Sequence, residues 1–431
     1  MVNMKPSGVQ WIGDIPSEWK LGKVKNRFYS TKTIVGDKVD DYERLALTLG
    51  GVIKRSKEAN DGLQPEKFNG YQILKENELV FKLIDLANVA TSRVGLSPYT
   101  GIVSPAYIVL HDKQEGCPRY AEYYFLSMWM NEVFNHLGGD GVRSSLNTNE
   151  LLNIPFPLIS DKEQTSIADY LDDRCSKLDE IITEAEKSIE EYKELKQAVI
   201  FEAVTKGLDK NVPMKDSGVE WIGKIPQKWS VKKIKYTTQI SRGLFNHRPR
   251  NAPFLYDGPY PFIQTGDVAR ANHYITEYRQ TLSEQGKKVS KYFPEGTLTM
   301  TIAANVGDVS ILTFGAYFPD SVLGFIPYAD YSGEYLYYIF AAMKTEFMRI
   351  AISNTQLNLN IERVKETCIP VIESKREQQE IVDFLDVKTS QIDALISEKQ
   401  ALIEELRAYK KSLIYEVVTG KRRVGLFVNR G

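Results

Sequence analysis

The chain has 431 residues, of which 42% are hydrophobic and 26% charged, with a formal net charge of −1. That length suits about three domains with ordinary cores and argues against a disordered chain. No apolar run reaches the ~18 residues of a membrane span, and Met1 to Lys5 lacks an apolar signal core, so a soluble, cytoplasmic protein is expected; three scattered cysteines (Cys117, Cys175, Cys368) predict reduced thiols, with no zinc and no disulfide framework.

From the N-terminus, the first recognisable stretch is Met4-Lys-Pro-Ser-Gly8-Val-Gln-Trp11-Ile-Gly13-Asp-Ile15-Pro16-Ser-Glu-Trp19, and it returns at Met214 to Trp229. With a shift of 210, 13 of the 23 positions from 4 to 26 are identical. The chain is therefore a tandem duplication. The four repeated tryptophans (Trp11, Trp19, Trp221, Trp229) read as core packing at the base of each half.

Beyond this block the halves diverge. In the first, residues about 27–150, Leu45 to Leu49 reads as a strand leading into a Gly50-Gly51 turn, and Glu78–Ile84 and Gly101–Leu110 as buried strands. Ala121 to Leu137 reads as an amphipathic helix ended by Gly138-Gly139. In the second half, Tyr260 to Val268, Gly296 to Ile302 and Val306 to Leu312 precede a helix over Gly333–Ser353. The order of elements is similar in both, so one fold carries two surfaces. Each region leaves through the same exit, Leu146-Asn147 to Ile154-Pro155 and Leu359-Asn360 to Ile369-Pro370, where proline sets an extended approach.

Each exit leads into a long polar-faced helix. With a shift of 214, 18 of 44 positions are identical and no gap is needed. In the first copy Leu171, Leu178, Ala185, Tyr192 and Val199 fall seven apart, with Ile167, Ile181, Ile182, Ile189 and Leu195 between them. The second copy repeats this with Leu385, Ile392, Leu406 and Leu413, and with Leu395, Ile396, Leu402, Ile403 and Tyr409. Neither copy holds Pro or Gly before its end. This is a coiled-coil stripe, on a helix of roughly 65 Å at about 1.5 Å per residue. The two copies can bury their stripes against each other, and an antiparallel pair would return the C-terminal tail to the first Trp block. Lys206 to Pro213 reads as a helix stop and linker.

The small net charge hides a local imbalance. Residues 161–206 carry net −6 and residues 373–419 net −3, whereas residues 228–291 carry 12 Lys/Arg against 4 acids, net +8. That basic, aromatic-rich segment is the strongest binding signal. Its candidates are Arg242, Asn246, His247, Arg248, Arg250, Arg270, Arg279, Lys287, Lys288 and Lys291, because Lys and Arg hold phosphates while Arg, Asn and Gln can pair with base edges. Gln264, Thr265 and Asp267 lie in a neighbouring stretch that suits either a structural loop or base reading. Residues 1–160 are charge-neutral, and the candidates there are Lys54, Arg55, Lys57, Arg93, Arg143 and Asn147. A solvated face is the competing reading for each of these residues.

Signals for chemistry are missing. There is no Asn-Pro-Pro-Tyr or Asp-Pro-Pro-Tyr for methylating a flipped base, and no Gly-x-x-x-x-Gly-Lys-Ser/Thr for nucleotide phosphates. Pro319-Asp320 has no Glu-x-Lys at nuclease spacing, Gly138 to Gly141 follows a helix rather than a strand, and His111, His136, His247 and His273 show no ligand spacing.

The tandem frame, the Trp-Ile-Gly-x-Ile-Pro-x-x-Trp block, the Tyr-Pro-Phe-Ile-Gln-Thr-Gly-Asp stretch and the Ile-Pro…Glu-Gln…Ile helix start together resemble the specificity subunit of type I restriction-modification enzymes. The resemblance covers essentially the whole chain; no single motif is decisive, but their order, occurring twice, is specific. It implies an α+β fold: two similar mixed α/β target recognition domains, residues 1–160 and 207–372, separated by spacer helices, 161–206 and 373–420, packed as an antiparallel coiled coil, with a tail at 421–431. It further implies a non-catalytic chain that binds a split double-stranded DNA sequence and holds two adenine-methylating subunits and, in a full complex, restriction and translocase subunits. ATP, magnesium and S-adenosylmethionine would belong to those partners, leaving this chain without a cofactor. The rival reading is a coiled-coil scaffold presenting two protein-binding domains, which accounts for the duplication but not for the basic aromatic segment.

Overall fold

The computed structural model describes residues 3–58, 67–84, 86, 93–114, 116–137, 145–353 and 357–425. The chain divides into two compact units, Met1–Glu186 with Ala401–Gly431, and Lys187–Gln400. Each contains one globular region and a part of both long helices, Asp161–Lys206 and Lys375–Val418.

In both units the repeated sequence makes the frame. In the first unit, Met4–Pro6 pairs with Asp14–Pro16, and Lys20–Lys23 pairs antiparallel with Pro155–Leu158. The second unit repeats this with Met214–Asp216 on Lys224–Pro226 and Ser230–Lys233 on Cys368–Val371. The residues that enter and leave each globular region thus clasp one another. Prolines are tolerated because each ladder has only two strands.

Tryptophan locks the clasp to the helix. Trp19 is buried and donates its Nε1–H to Glu163 Oε1 at 2.9 Å; Trp229 does the same to Glu377 Oε1 at 3.0 Å. Both glutamates sit in the first turn of a long helix, where a carboxylate also favours the dipole. The helix stops are repeated as well. Gly207 has φ +76° and lies against Trp229, and Gly420 has φ +75° where a Cβ would collide with Pro16 and Trp19. Only glycine serves there, through both its left-handed backbone and the close ring contact. In the first unit the end of the second long helix therefore returns to the first Trp block. Tyr415 donates to Ile12 O at 3.1 Å and Lys421 Nζ to Asp14 O at 2.9 Å.

The globular regions are mixed and mainly antiparallel. The first holds one sheet in the order Gly51–Arg55, Arg44–Thr48, Gly101–Val103, Gln72–Leu74, and another in the order Phe28–Tyr29, Ile108–Asp112, Leu79–Lys82, Arg93–Leu96. The second holds a five-stranded sheet, Thr238–Arg242, Val322–Pro327, Leu298–Thr301, Val309–Leu312, Tyr274–Ile275, and a four-stranded one, Gln280–Leu282, Tyr256–Phe262, Ala316–Phe318, Lys291–Phe293. A helix then seats each region on the long helices. Tyr123, on Pro118–Met130, donates to Asp172 Oδ1 at 2.6 Å, and Tyr338, on Gly333–Ala342, donates to the equivalent Asp386 Oδ1 at 2.5 Å.

The long helices run antiparallel. In the first unit Lys410 Nζ reaches Asp179 Oδ1 at 2.6 Å and Arg407 Nη2 reaches Glu186 Oε1 at 2.8 Å, so numbering rises on one helix as it falls on the other. The second unit holds the repeat counterpart of the first pair, Lys196 Nζ on Asp393 Oδ2 at 2.7 Å.

Several expectations are corrected. The helix expected over Ala121–Leu137 ends at Met130, because Glu132 adopts φ +56°, and Val133–His136 forms a separate 3-10 turn. The helix expected over Gly333–Ser353 breaks at Met343 into Gly333–Ala342 and Lys344–Ile350, followed by the short strand Ile352–Ser353. Gly101–Leu110 is two strands interrupted around Pro105. The coil stripe is narrower than expected: Leu171, Leu178, Ile182, Ala185, Leu385, Ile392, Ile403 and Leu413 are buried, whereas Ile181, Leu195, Leu395, Leu402 and Tyr409 are 39–49% exposed. A pair of helices closes one seam and leaves its apolar flanks in water. Gly138 to Gly141 lie outside the described residues.

Candidate nucleic-acid interface

In the second unit the segment after Thr238–Arg242 is drawn beside the Lys-rich one. Asn246 N–H donates to Val289 O at 3.1 Å, and Phe245 bridges to Ser290. A small apolar core of Phe245, Ala252, Leu255, Phe262 and Leu282 supports both. The segment that carries Arg242, Asn246, His247, Arg248 and Arg250 thereby meets the one that carries Lys287, Lys288 and Lys291, although more than 40 residues separate the ends of that set.

Many of these cations are already engaged. Arg242 Nε donates to Asp320 O at 2.6 Å and Arg250 Nη2 to Asp320 Oδ2 at 2.6 Å. Arg248 turns back onto Phe245 O and His247 O, at 3.0 and 2.8 Å. The His247 ring meets Phe254 edge-on at 5.2 Å. Lys287 lies 4.1 Å from the Tyr260 ring centroid and bonds both the Tyr260 hydroxyl and Glu284. Those hydrogen bonds push Lys287 above its ordinary value and hold Glu284 below its own. Lys291 lies 5.7 Å from the Phe293 ring centroid. Arg279 and Lys288 are exposed, and their side chains form no hydrogen bond or ion pair among the described residues. Tyr278, Tyr292 and Phe254 stand exposed in the same region, with apolar faces on which bases could stack.

The Tyr260 to Asp267 stretch divides into two roles. Tyr256–Phe262 ends the strand, and Thr265–Arg270 is a short helix with Gln264 at its cap. Asp267 is buried, accepts the Gln264 backbone N–H at 2.9 Å and holds Arg270 by a salt bridge, so Asp267 and Arg270 maintain the turn. Thr265 is half-buried, whereas Gln264 is exposed and its amide is hydrogen-bonded to Gln280. Gln280 is a residue that sequence reasoning missed. Only strand register, which sets Gln280 opposite Phe262, brings it there.

In the first unit the candidates are more dispersed. Lys54 and Arg55 lie on the edge strand Gly51–Arg55, with Lys54 Nζ 5.2 Å from the Tyr99 ring centroid. Lys57 Nζ donates to Val39 O at 2.7 Å. Arg93 opens the strand Arg93–Leu96, and Arg143 lies outside the described residues. Asn147 has a structural employment: its Oδ1 accepts the Glu150 N–H at 3.0 Å, while a Glu150 carboxylate oxygen accepts the Asn147 N–H at 2.7 Å. That is a capping box on Thr148–Asn153, and Asn360 caps Ile361–Glu366 at the matching place in the second unit. The repeated Leu-Asn was the signal for this role.

No cluster of His, Cys, Asp or Glu suited to a metal occurs among the described residues, and none of their helices is long and apolar enough to cross a membrane. His111 is tied to Glu78 at 2.6 Å, which raises its pKa. His273 lies flat between Tyr274 and Tyr337, with ring centroids 4.1 and 3.9 Å away, and burial lowers its pKa.

The family model described as "Type I restriction modification DNA specificity domain" matches residues 28–191 and again 226–405. The type I restriction enzyme MjaIX specificity subunit of Methanocaldococcus jannaschii is 31% identical over 184 residues, which is 42% of this chain and 41% of that relative. The MjaVIII specificity subunit of the same organism is 23% identical over 369 residues, 82% of this chain and 80% of the relative. Among solved structures, a chain from work on the structural basis of complex assembly and conformational transition of the type I R-M system superposes with a TM-score of 0.73 at 14% identity, covering 95% of this chain and 99% of that one. The HsdS subunit from Thermoanaerobacter tengcongensis gives 0.50 at 15% identity, over 95% and 98%. These two likenesses bear on the fold alone. With the family model matched twice, each time over most of a globular region and the greater part of the long helix that follows it, this chain belongs to the type I restriction-modification DNA specificity family.

Proposed function

We propose that the protein reads a bipartite DNA target, one half through each globular region, and docks the methylation and restriction subunits that act on that DNA without itself carrying their chemistry. The observation that carries this reading is the pairing of a repeated frame with divergent cargo. The clasp, the Trp–Glu lock and the Tyr–Asp seat recur in both units, whereas the regions between them differ in the strand number of their sheets and in the charge of their sequence. Such a design holds two different readers in equivalent settings. Phosphate neutralisation by exposed residues such as Arg279 and Lys288 supplies affinity, and a few base-edge contacts of about 1–3 kcal/mol each supply discrimination. The apolar residues left exposed on the long helices, Ile181 and Leu395 among them, offer surface for partner subunits to cover.

Methylation mapping of DNA from cells that supply the adenine-methylating subunit, with and without this gene, tests the reading. A split adenine-methylated motif should vanish with the gene. An unchanged methylome in cells that contain the assembled complex would favour the protein-binding scaffold instead. Binding to duplex DNA should also weaken steeply with added salt.

A further inference from the structure

We propose that Gln264 and Gln280 act as a single adenine-edge reader in the second unit, an inference that rests on reading that unit as a DNA-recognition domain. Gln264 leaves the end of the strand Tyr256–Phe262, and its backbone is pinned by the buried Asp267. Gln280 opens the neighbouring strand opposite Phe262. Their side-chain amides are hydrogen-bonded to each other at the surface. The arrangement has no obvious structural return. Holding two long, water-exposed Gln side chains in one geometry costs rotamer entropy that a single exposed hydrogen bond offsets only in part. What the pairing does achieve is orientation.

With the Gln264 Nε2–H donating to Gln280 Oε1, the pair keeps one carbonyl oxygen, on Gln264, and one NH2 group, on Gln280, with no hydrogen-bond partner among the described residues. That complement matches the major-groove edge of adenine, which offers N7 as acceptor and N6–H as donor. Guanine presents two acceptors there and would leave the free carbonyl unpaired. Arg279, adjacent in sequence, exposed and without a bonded partner among the described residues, is available for the flanking phosphate.

Selection from a randomised duplex library by the full chain in its assembled complex reads this directly. The unaltered protein should return a split motif with an adenine in the half that follows residues 237–353 when those are exchanged. Gln264→Ala and Gln280→Ala should each lower the preference for that adenine by roughly tenfold, leaving the remaining positions and the other half unchanged. Gln264→Arg, which presents donors only, should move the preference toward guanine. Retention of adenine in all three variants overturns the proposal. An even loss across every position also overturns it, because that marks a structural role. If the unaltered protein returns no motif and binds without salt dependence, the DNA reading itself fails and takes this proposal with it.

Discussion

Asn147 illustrates how a residue chosen for its chemistry can be claimed by local structure, and Asn360 plays the same part in the second unit. Both cap short helices at the exit of a globular region. Asn147→Ala and Asn360→Ala should each lower stability by about 0.5–2 kcal/mol, seen in thermal melting, with DNA affinity unchanged. Loss of affinity without loss of stability would return Asn147 to the interface. His273 makes a separate prediction. Burial holds its pKa below the ordinary 6.5, while Asp386 and Glu334 oppose that shift and Lys196 reinforces it. The unfolded chain takes up the proton first, so the contribution of this group is complete above the unfolded value and is lost as pH falls from there through the folded value. His273→Phe keeps an aromatic ring between Tyr274 and Tyr337, and it should lose less melting temperature than the parent between about pH 7.5 and about pH 5.5. His111, raised by Glu78, has the opposite sign: its contribution is present at low pH and fades as pH rises through its folded value. The comparison with the parent therefore decides, rather than the total.

The long helices carry the repeat at the scale of elements. Lys196 on Asp393 and Lys410 on Asp179 are one interaction written twice, because the antiparallel pairing matches each copy's lysine with the other copy's aspartate. Lys196→Glu should destabilise the second unit, and Asp393→Lys in the same chain should recover part of the loss. A double-mutant cycle should give a coupling of roughly 0.5–1 kcal/mol, modest because the pair is partly exposed. Leu385 is fully buried where the second long helix meets the globular core, and Leu385→Ala should cost about 2–5 kcal/mol in the same melting measurement. These helices were readable because a seven-residue apolar period of this length has few other solutions. Their exposed flanks were not, since Ile181 and Leu395 have the same spacing as buried residues, and only the position of the seam separates them.

At the scale of the whole molecule, two similar units with different surfaces predict separable specificity. Exchanging residues 237–353 for those of a relative should change one half of the recognised sequence and leave the other intact, as methylome mapping would show. A simultaneous change in both halves would refute independent reading.

What the sequence determined by itself is the frame. Duplicated Trp, Gly, Pro and heptad positions each answer a local demand, namely a ring to pack, a left-handed residue, an extended approach or an apolar seam, and local demands are legible in one dimension. The tertiary structure alone decided the surfaces. Gln280 reaches Gln264 only through strand register, Asp320 engages Arg242 and Arg250 from about 70 residues away, and the Arg242–Arg250 segment meets Lys287 and Lys288 over a small shared core. Which cations remain free depends on those long-range neighbours. A charge count records how many cations a segment holds, whereas burial, pairing and register set which of them can meet a ligand.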